Sequence, residues 1–499
     1  MTKIIIIGSG IAGLASGCYA QMNGYSSTIF EQHSIPGGLC TSWYRKGYTI
    51  DGCIHWLVGS SPKSGFNKYW KELHALNGVT SVYHDIFTTI ETGTYKDKKT
   101  FIVYADTGKL NTHMKQISPE DSTEIDTFTS LIDKFSSFEM PTDTPPELMK
   151  IGDFLKMIKK IKPYTKEFRM YRKLTIADYA SKFTNPHLRE GLTNILNMPD
   201  FSFLGLIFML GWQNSRKAGF PVGGSLEFSK RIEKRYHSLG GTIKYKSPVQ
   251  KILIKNNRAI GIELNNGEQY YADIIISAAD GYSTIYSMLS GKFTDKKIDR
   301  MYKTLPLFEP LFLLSIGVKR DFSSHPCMEI KHLQSPIIIE GKKHAKLGIK
   351  HYCFDPAMAP KGSSLLEIYY TSDYDYWKKL SQTPDLYNKE KNKIAETIIG
   401  ALESLYPGIK QDIEMTDTAT PLTFERYTSN RRGTFEGWLL TPKALTLKIK
   451  KTLPGLKNFY MTGQWVQPGG GIPSAAKSGR DLIAIICNKD KKVFTTTTT

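Results

Sequence analysis

The sequence has no hydrophobic run long enough to cross a bilayer. Its longest apolar segment, Phe201 to Trp212, has 12 residues, whereas a membrane-spanning helix needs about 20. No basic and apolar leader precedes the β-branched segment at residues 3–7, so we predict no secretory signal. These absences favour a cytoplasmic protein.

Cysteine is scarce, and its spacing excludes two classes of protein. The 6 cysteines lie far apart, without a C-x-x-C pair or the ligand spacing of a zinc site. We therefore predict reduced thiols rather than a disulfide framework. No Ser-His-Asp arrangement or metal-ligand cluster stands out among the 11 histidines, so no metal is predicted.

Acidic residues are outnumbered, since 66 Lys and Arg against 47 Asp and Glu give a net charge of +19. The basic residues are spread along the chain without a nucleic-acid-binding motif, so no nucleic-acid partner is predicted. The densest region, Lys150–Lys173, also carries apolar residues at helical spacing: Ile151, Phe154, Leu155, Ile158 and Ile161. A basic amphipathic helix suits peripheral contact with an anionic membrane, and an ordinary surface helix explains the pattern equally well.

The N-terminal segment contains a nucleotide-binding pattern. Residues 3–7, KIIII, predict a buried parallel strand, and GSGIAG then places Gly8, Gly10 and Gly13 in the spacing G-x-G-x-x-G. These glycines allow a tight turn, close approach to a pyrophosphate and close packing of a helix on the strand. The helix points its free N–H groups at the phosphates. A second strand ends at Glu31, whose carboxylate can accept hydrogen bonds from both ribose hydroxyls. This order of elements predicts a dinucleotide site.

Paired glycines indicate which dinucleotide binds. Gly37 and Gly38 follow Glu31 in EQHSIPGGLCTSW. Here the chain resembles the large flavoprotein family in which a glycine pair follows G-x-G-x-x-G and the acid. The resemblance implies that the pair lies on the flavin side of a non-covalently bound FAD, because NAD-binding domains lack it.

The stretch GQWVQPGGGIPSAAKSG, residues 463–479, is nearly bare of side chains at its centre. In the flavoproteins that the chain resembles, the C-terminal part closes the cofactor site with a strand, a glycine-rich turn and a helix. This implies a strand at 459–462 and a helix from about Pro473, whose N-terminus would stabilise negative charge on the reduced ring. Gln464 replaces the usual aspartate, and its amide can still hydrogen-bond. Trp465 and Gln467 are expected to border the flavin.

A later segment, SPVQKI, completes the predicted cofactor site. In related flavoproteins the corresponding segment places a backbone amide against the adenine. The residues predicted to bind FAD are Gly8, Gly10, Ile11, Ala12, Gly13, Glu31, Gly37, Gly38, Leu39, Val249, Gly463, Gln464, Gly470, Gly471 and Ile472.

Chain length and element order indicate two domains, since 499 residues are too many for one simple core. We predict an α/β fold, with a discontinuous Rossmann-like FAD-binding domain of the glutathione reductase type and a mixed α+β substrate domain. The FAD-binding domain takes residues 1–85, 218–289 and 451–490. The substrate domain takes a helical part at 86–217, which is a candidate membrane-facing lid, and a sheet with helices at 290–450. A disordered tail is expected at 491–499.

Longer motifs narrow the resemblance. GGLCTSWYRKGYTIDGCIHWLVG, GFPVGGS, ATPLTFERYTSNRRGTFEGW and GQWVQPGGGIPSAAKSGR look like those of the phytoene desaturase, carotenoid isomerase and retinol saturase group. Members of that group desaturate, isomerise or saturate conjugated lipids, which implies an apolar, polyene-like substrate and leaves the direction of electron flow open. The chain has no second G-x-G-x-x-G, so NAD(P)H, if it is the electron donor, would bind elsewhere or only transiently.

Several side chains are candidates for chemistry. His55, in GCIHW, lies in a region that passes beside the flavin in related folds, and it could act as acid or base or simply hydrogen-bond in the wall. Tyr427 could donate a proton, and Arg431 and Arg432 could bind a polar head, although Arg-Arg-Gly is also typical of a turn. The apolar run 201–212 could line a dry substrate slot or belong to the core.

The sequence predicts an FAD-dependent oxidoreductase that exchanges a hydride with an apolar, polyunsaturated lipid. Two alternatives stay open: an amine oxidase-like enzyme, and a redox-neutral polyene isomerase that holds FAD. Cys40 and Cys53 are expected near the cofactor, as packing residues.

Overall fold

The computed structural model describes residues 1–139, 144–469 and 471–499. The β-strands in these ranges are β1 Lys3–Ile7, β2 Ser26–Phe30, β3 Trp43–Arg45, β4 Tyr48–Ile50, β5 Leu57–Val58, β6 Ser81–Val82, β7 Ile86–Gly93, β8 Lys98–Tyr104, β9 Ala218–Pro221, β10 Thr242–Lys244, β11 Val249–Lys255, β12 Arg258–Leu264, β13 Gln269–Tyr271, β14 Ile274–Ser277, β15 Leu311–Val318, β16 Met328–Ile339, β17 Lys342–His351, β18 Ser364–Thr371, β19 Ile413–Ala419 and β20 Phe459–Met461.

The α-helices in the same ranges are α1 Ile11–Met22, α2 Asn67–Glu72, α3 Thr107–Ile117, α4 Ser122–Ser136, α5 Ile151–Ile161, α6 Thr165–Tyr171, α7 Ile176–Ala180, α8 Pro186–Asn194, α9 Phe203–Asn214, α10 Gly224–Ser238, α11 Lys296–Thr304, α12 Tyr374–Leu380, α13 Pro384–Leu405, α14 Ile409–Asp412, α15 Pro421–Thr428, α16 Pro442–Leu445 and α17 Gly471–Lys489. Single 3-10 turns lie at Pro119–Asp121, Pro146–Leu148, Lys162–Tyr164 and Arg431–Gly433, and Ser283–Met288 is π-helical.

A parallel sheet forms one half of the molecule. Its strand order is β10-β2-β1-β14-β20, and Ile4 of β1 pairs with Ser27 on one side and Ile274 on the other. The isoleucines of β1 are buried, as expected for a central strand that is covered on both faces. Helix α1 packs between α10 and α17. The strands come from residues 3–30, 242–277 and 459–461, so three separate stretches of chain build this sheet.

A mixed sheet forms the second half, with the strand order β19-β15-β18-β17-β16-β7-β8. Its last two strands, β7 and β8, form an antiparallel hairpin at residues 86–104, inside the part that was predicted to be helical. The segment IFTTIETG is rich in β-branched residues, which favour a pleated strand over a helix. The part predicted to be largely helical, residues 86–217, therefore begins with a β-hairpin, and its helices start with α3.

Helices α3 to α9 cover this end of the mixed sheet and enclose an aromatic cluster. Phe135, Phe138 and Phe208 pack edge-to-face or stacked, with ring centroids 5.2–5.8 Å apart. Helix α5 lies outside this cluster and has no buried residue. Its apolar side chains are exposed to solvent, which is unusual for an amphipathic helix of a globular protein.

The chain after residue 490 differs from the predicted disordered tail. Phe494 packs on Tyr19 and lies under the Arg480 guanidinium. Arg235 donates hydrogen bonds to the carbonyl oxygens of Thr497 and Thr499 at 3.0 and 2.7 Å. These contacts tie a polar segment to the parallel-sheet half, and its threonine composition gave no sign of them.

Two further features concern membrane spans and the cysteines. Within the described ranges, no helix is both long and apolar enough to span a membrane. The cysteines at 18, 40, 53, 327, 353 and 487 are all free thiols.

Candidate active site

A cavity of about 1600 Å³ lies between the two halves of the molecule. Its walls come from the glycine turn after β1, residues 37–42 and 52–56, one face of α9, strand β17 and the chain at 462–469 and 471–475. An ordinary small-molecule site has roughly 300–1,000 Å³, so this cavity is large enough for a dinucleotide and a second ligand.

The turn between β1 and α1 forms one end of the cavity. A side chain on Gly13 would place its Cβ 1.9 Å from the carbonyl oxygen of Gly8, so only glycine allows this turn to close. At Gly10 a Cβ would meet only the Gly37 carbonyl oxygen, at 3.9 Å, and would otherwise project into open space. Gly10 precedes the first turn of α1, and no side chain caps that helix. Its N–H groups, including those near Ile11 and Ala12, are therefore available to a phosphate.

Glu31 is buried beside this turn, and its carboxylate already has protein donors. Oε2 accepts hydrogen bonds from Ser9 N at 2.7 Å and Ser9 Oγ at 2.8 Å, and Oε1 accepts from His33 N at 2.8 Å. A carboxylate has about four acceptor positions, so the structure leaves one for a ribose hydroxyl rather than the two that were predicted. The side chain thus also holds the glycine turn in place.

The glycine pair lies directly against the phosphate turn. Gly37 donates its N–H to the Ser9 carbonyl oxygen at 2.9 Å and forms a parallel bridge with Gly10. A Cβ on Gly38 would lie 3.4 Å from the Cα of Gly10. Gly38 and the adjacent Leu39 line the cavity, so the two glycine motifs form one continuous surface.

The C-terminal segment meets the phosphate turn from the other side. Gly463 donates its N–H to Ser478 Oγ at 2.9 Å, and a Cβ on Gly463 would lie 3.2 Å from Ala12 Cβ. Gln464 and Ile472 line the cavity. Helix α17 begins at Gly471, two residues before the predicted start. Gly470, also predicted to contact the cofactor, lies outside the described residues.

The predicted adenine contact lies near the outer end of the cavity. Val249 is the first residue of β11 and lines the cavity. The adjoining Ser247 donates its N–H to the carbonyl oxygen of Glu31 at 2.8 Å. The structure therefore brings Val249 and Glu31 together at the same end. Trp465 and Gln467 also line the cavity, on the C-terminal side.

These surfaces fit FAD in shape and chemistry. Uncapped helix N–H groups and bare glycines suit a pyrophosphate, and Glu31 next to Val249 suits an adenosine. The N-terminus of α17 opens on the same cavity, where its dipole can stabilise negative charge. When bound, FAD would supply hydride exchange at its flavin ring.

A buried polar cluster includes the first catalytic candidate. The Nζ of Lys350 lies 2.8 Å from His55 Nδ1 and donates to it, which leaves the proton of the neutral ring on Nε2. Burial, reinforced by the charge of Lys350, lowers the pKa of His55 well below its ordinary value. Burial also lowers the pKa of Lys350 and raises that of Glu367 to about 8. Glu367 accepts hydrogen bonds from Tyr352 Oη at 2.7 Å and Asp51 N at 3.1 Å. His55, Lys350 and Glu367 all line the cavity.

Tyr427, the second catalytic candidate, does not join this cluster. Its ring lies edge-on to His33, with centroids 5.0 Å apart, and the side chain is 46% exposed. Gln32 donates to its carbonyl oxygen at 2.9 Å. The structure thus places Tyr427 at the Glu31 end of the cavity, away from His55.

The other singled-out polar residues have structural partners. Arg431 lies over the Tyr282 ring and donates to the Tyr302 carbonyl oxygen, while Arg432 pairs with Asp375. Cys40 and Cys53 both line the cavity. Hydrogen bonding with Cys40 and burial raise the pKa of the Cys53 thiol well above its usual value, so it is a poor nucleophile.

The rest of the cavity wall is apolar. The predicted slot segment forms α9, which is buried, and one face of it opens on the cavity. The apolar lining there includes Trp56, Phe201, Phe208, Met209, Trp212 and Leu440. The segment therefore belongs to the core and also lines the cavity.

Three lining residues escaped the sequence analysis: Lys350, Glu367 and Glu436. Lys350 and Glu367 belong to no local motif, and Lys350 meets His55 across 295 positions of sequence. Glu436 lies within the motif ATPLTFERYTSNRRGTFEGW, which does not by itself assign it a role. Within the described residues, no group of three or more His, Cys, Asp or Glu side chains could hold a metal ion.

Comparison with known proteins shows the family. A family model described as flavin containing amine oxidoreductase matches residues 11–482. A chloroplastic prolycopene isomerase of Daucus carota is 26% identical over 500 residues, which cover 95% of this chain and 78% of that protein. A phytoene desaturase (neurosporene-forming) of Rhodobacter capsulatus is 24% identical, covering 97% and 93%. An all-trans-retinol 13,14-reductase of Danio rerio is 22% identical, covering 92% and 82%.

Solved structures share the fold. An oxidoreductase from Methanosarcina mazei superposes with a TM-score of 0.59 at 17% identity, covering 96% of this chain and 99% of that one. A putrescine oxidase bound to putrescine gives 0.59 at 12% identity, covering 98% and 99%. The predicted fold class and the resemblance to the phytoene desaturase, carotenoid isomerase and retinol saturase group are confirmed. The chain belongs to the flavin containing amine oxidoreductase family and is an FAD-dependent oxidoreductase.

Proposed function

We propose that this enzyme exchanges a hydride between non-covalently bound FAD and an apolar, polyunsaturated lipid, as a desaturase or a saturase. The observation that carries the proposal is the continuity of the cavity, which runs from the glycine turns to a wall of aromatic and aliphatic side chains. An amine substrate would need polar or anionic recognition, whereas the wall around α9 is apolar. The names of the sequence relatives support a polyene substrate.

The protein's own contribution is to hold the lipid in a dry space next to the cofactor. Side chains of α9 and Trp56 exclude water from the reacting carbons. Lys350 holds the His55 ring in one orientation in the cavity wall. Because its pKa is lowered, this ring is neutral and adds no charge next to the lipid. The sequence has no second G-x-G-x-x-G motif that could bind NAD(P)H. We therefore propose NAD(P)H only as a transient electron donor, which binds after the lipid has left.

Redox-neutral isomerisation is the second candidate function. It is favoured by the prolycopene isomerases, which match 95% of this chain at 26% identity. Both candidates use the same apolar cavity, and they differ in whether the flavin has changed its redox state when product appears.

Anaerobic mixing is expected to reveal the half-reaction without any pyridine nucleotide. A desaturase in its oxidised form bleaches with a saturated or partly saturated lipid, because the flavin takes up two electrons. A saturase that has been chemically reduced regains its yellow colour with a polyene. Flavin absorbance recorded against time measures both, and chromatography of the extracted lipid identifies the product.

Three other results are informative. Geometric isomers that form with an unchanged final flavin spectrum would favour the isomerase. The lipid proposal would be refuted if no polyene in a broad panel changed the flavin absorbance or gave a product while a primary or secondary amine bleached the flavin. Buffer and lipid without enzyme serve as the blank.

We also propose that α5 rests on an anionic membrane that supplies the lipid. Its exposed apolar residues are Ile151 at 82%, Phe154 at 50%, Leu155 at 59% and Ile158 at 45%. Lysines flank this face, and they complement the charge of an anionic leaflet: Lys156, Lys159, Lys160 and Lys162.

An aromatic path connects this helix to the cavity wall. Tyr164, just after α5, packs on Phe138 with ring centroids 4.9 Å apart. Phe138 stacks on Phe208 at 5.2 Å, and Phe208 lines the cavity. A lipid surface at α5 would thus lie close to the apolar end of the cavity.

A further inference from the structure

Glu436 lies in the cavity wall, and hydrogen bonds of the residues after it hold its backbone in place. Its neighbour Gly437 accepts a hydrogen bond from Phe308 N at 2.9 Å, and Trp438 bridges to Leu307. The Trp438 indole N–H donates to the Trp465 carbonyl oxygen at 3.2 Å, next to Gln464. This framework fixes the direction in which the Glu436 side chain leaves the backbone.

The carboxyl group points into the cavity. Its Oε1 lies 3.7 Å from the position that a Cβ on Gly471 would occupy, at the first residue of α17. Glu436 lines the same cavity as Cys53, and its negative charge helps to raise the pKa of that thiol. The carboxyl group thus lies between the N-terminus of α17 and the 52–56 segment, where the flavin ring is expected.

Glu436 is also unusual among the acids of this wall. In the part of the chain that the structure describes, Glu436 has no hydrogen-bond or ion-pair partner. The side chain is half-buried in the cavity wall, where a carboxyl that serves only the fold is normally paired, because an unpaired charge loses solvation there. The other carboxyls that line the cavity each accept a hydrogen bond from protein: Glu31, Asp280, Glu367 and Asp417.

The proposed reaction needs a proton as well as a hydride. Reduction of a C=C bond forms two C–H bonds: one carbon receives the hydride with two electrons, and its neighbour receives a proton. A carboxylic acid whose pKa matches the working pH serves best as that proton source. Burial raises the pKa of Glu436 to about 7, and no nearby charge opposes the effect. Burial raises the pKa of Tyr369 far out of the useful range, and Cys53 is likewise a weak acid.

We propose that Glu436 is the group that exchanges this proton with the substrate. In the reductive direction its O–H bond breaks, the π bond of the substrate opens, and the proton forms the second C–H bond. The carboxylate then regains a proton from solvent. In the oxidative direction the carboxylate removes the proton while the hydride leaves to the cofactor. This inference rests on the proposed function.

The titratable group that interacts with Glu436 is Cys53, and the neighbouring Gly471 carries no charge. The reductive rate should therefore fall as the pH rises through about 7, because the proton donor ionises. The oxidative rate should rise over the same interval, because the carboxylate is then the base.

The test uses the holoenzyme and compares Glu436→Gln with wild type. The amide keeps the shape of the side chain and cannot exchange a proton in this way. We expect the half-reaction with a polyene to slow by about 100-fold or more, because general acid–base catalysis contributes roughly 10²–10⁴-fold. Its dependence on pH near 7 should disappear, and Glu436→Asp should restore part of the rate. Reduction by dithionite should be unchanged.

A readout without turnover accompanies these rates. The absorbance of oxidised flavin should shift between pH 6 and pH 8 in wild type, because a charge appears beside the ring. The shift should be absent in Glu436→Gln and retained in Glu309→Gln, which removes an exposed carboxyl next in sequence to Phe308.

The outcomes separate the two proposals. If a polyene reacts with wild type and Glu436→Gln matches its rate and pH profile, the role of Glu436 is refuted while the function stands. If no polyene reacts with wild type, the proposed function is wrong and the role of Glu436 fails with it.

Discussion

Gly10→Val is expected to give a folded but colourless protein, whereas wild type is yellow and releases its FAD on denaturation. A Cβ at this position meets only the Gly37 carbonyl oxygen, at 3.9 Å, so the backbone there has room for a side chain. Its methyl groups project into the space where the pyrophosphate must approach the N-terminus of α1. Flavin content per protein, measured by absorbance after gel filtration, should fall from near one to near zero, and activity should fall with it.

The control for this prediction is Gly400→Val. Gly400 lies in α13, and a Cβ there has no neighbour within 4 Å, so the substitution adds the same bulk far from the cofactor. It should leave the flavin content at the wild-type level. A Gly10→Val protein that retains full FAD would show that the phosphate turn is misplaced, and a circular dichroism spectrum like that of wild type would confirm that both variants fold.

Reversing the charge of α5 is expected to abolish binding to anionic vesicles. Each basic residue near such a surface contributes about 1 kcal/mol at physiological ionic strength. Changing Lys156, Lys159, Lys160 and Lys162 to Glu removes four attractions, together about 4 kcal/mol or roughly 1,000-fold in binding, and the four new negative charges weaken binding further. Co-sedimentation with phosphatidylserine-containing vesicles measures the effect, and added salt should weaken the wild-type interaction in the same assay.

A matched set of substitutions tests whether the location of these charges matters. Helix α11 is also basic but has no large exposed apolar residue among its members. Replacing its exposed Lys296, Lys297, Arg300 and Lys303 by Glu gives the same change in net charge. This set should reduce vesicle binding far less. Equal losses in the two sets would mean that overall charge, rather than α5, governs binding, and unchanged binding in the α5 set would make it an ordinary surface helix.

The parts of the site that depend on backbone shape were predictable from sequence. The turn after β1 requires Gly10 and Gly13, and the end of β2 places Glu31. All three residues lie within the first 31 positions, so their arrangement can be predicted from local sequence. Glu31 was predicted to accept hydrogen bonds from two ribose hydroxyls. Its hydrogen bonds from Ser9 and His33, which the sequence does not indicate, leave one acceptor position.

Residues brought together by the tertiary fold could not be found in this way. Lys350 reaches His55 from a strand of the other sheet, and its surrounding sequence resembles any exposed basic strand. Glu436 was quoted within a family motif, but only the cavity and the absence of a partner in the described chain distinguish it from a surface glutamate. The β7–β8 hairpin was not predicted because it directly precedes a long series of helices and pairs with a strand more than 200 residues away, β16.

The assembly of the parallel sheet from three distant stretches has a consequence for biosynthesis. The Lys3 N–H donates a hydrogen bond to the Asp273 carboxylate across 270 positions of sequence. Strand β14 pairs in turn with β20, which is synthesised only at residues 459–461. The ribosome must therefore synthesise almost the entire polypeptide before the parallel sheet of the FAD-binding half can be completed. Contacts of such long range are slow to form, and chaperones would have to shield the isoleucine strands meanwhile. The helices between residues 107 and 214 mainly contact one another and the β7–β8 hairpin, so these contacts can form once residue 214 has been synthesised. Cofactor capture is then a late event in the life of each new molecule.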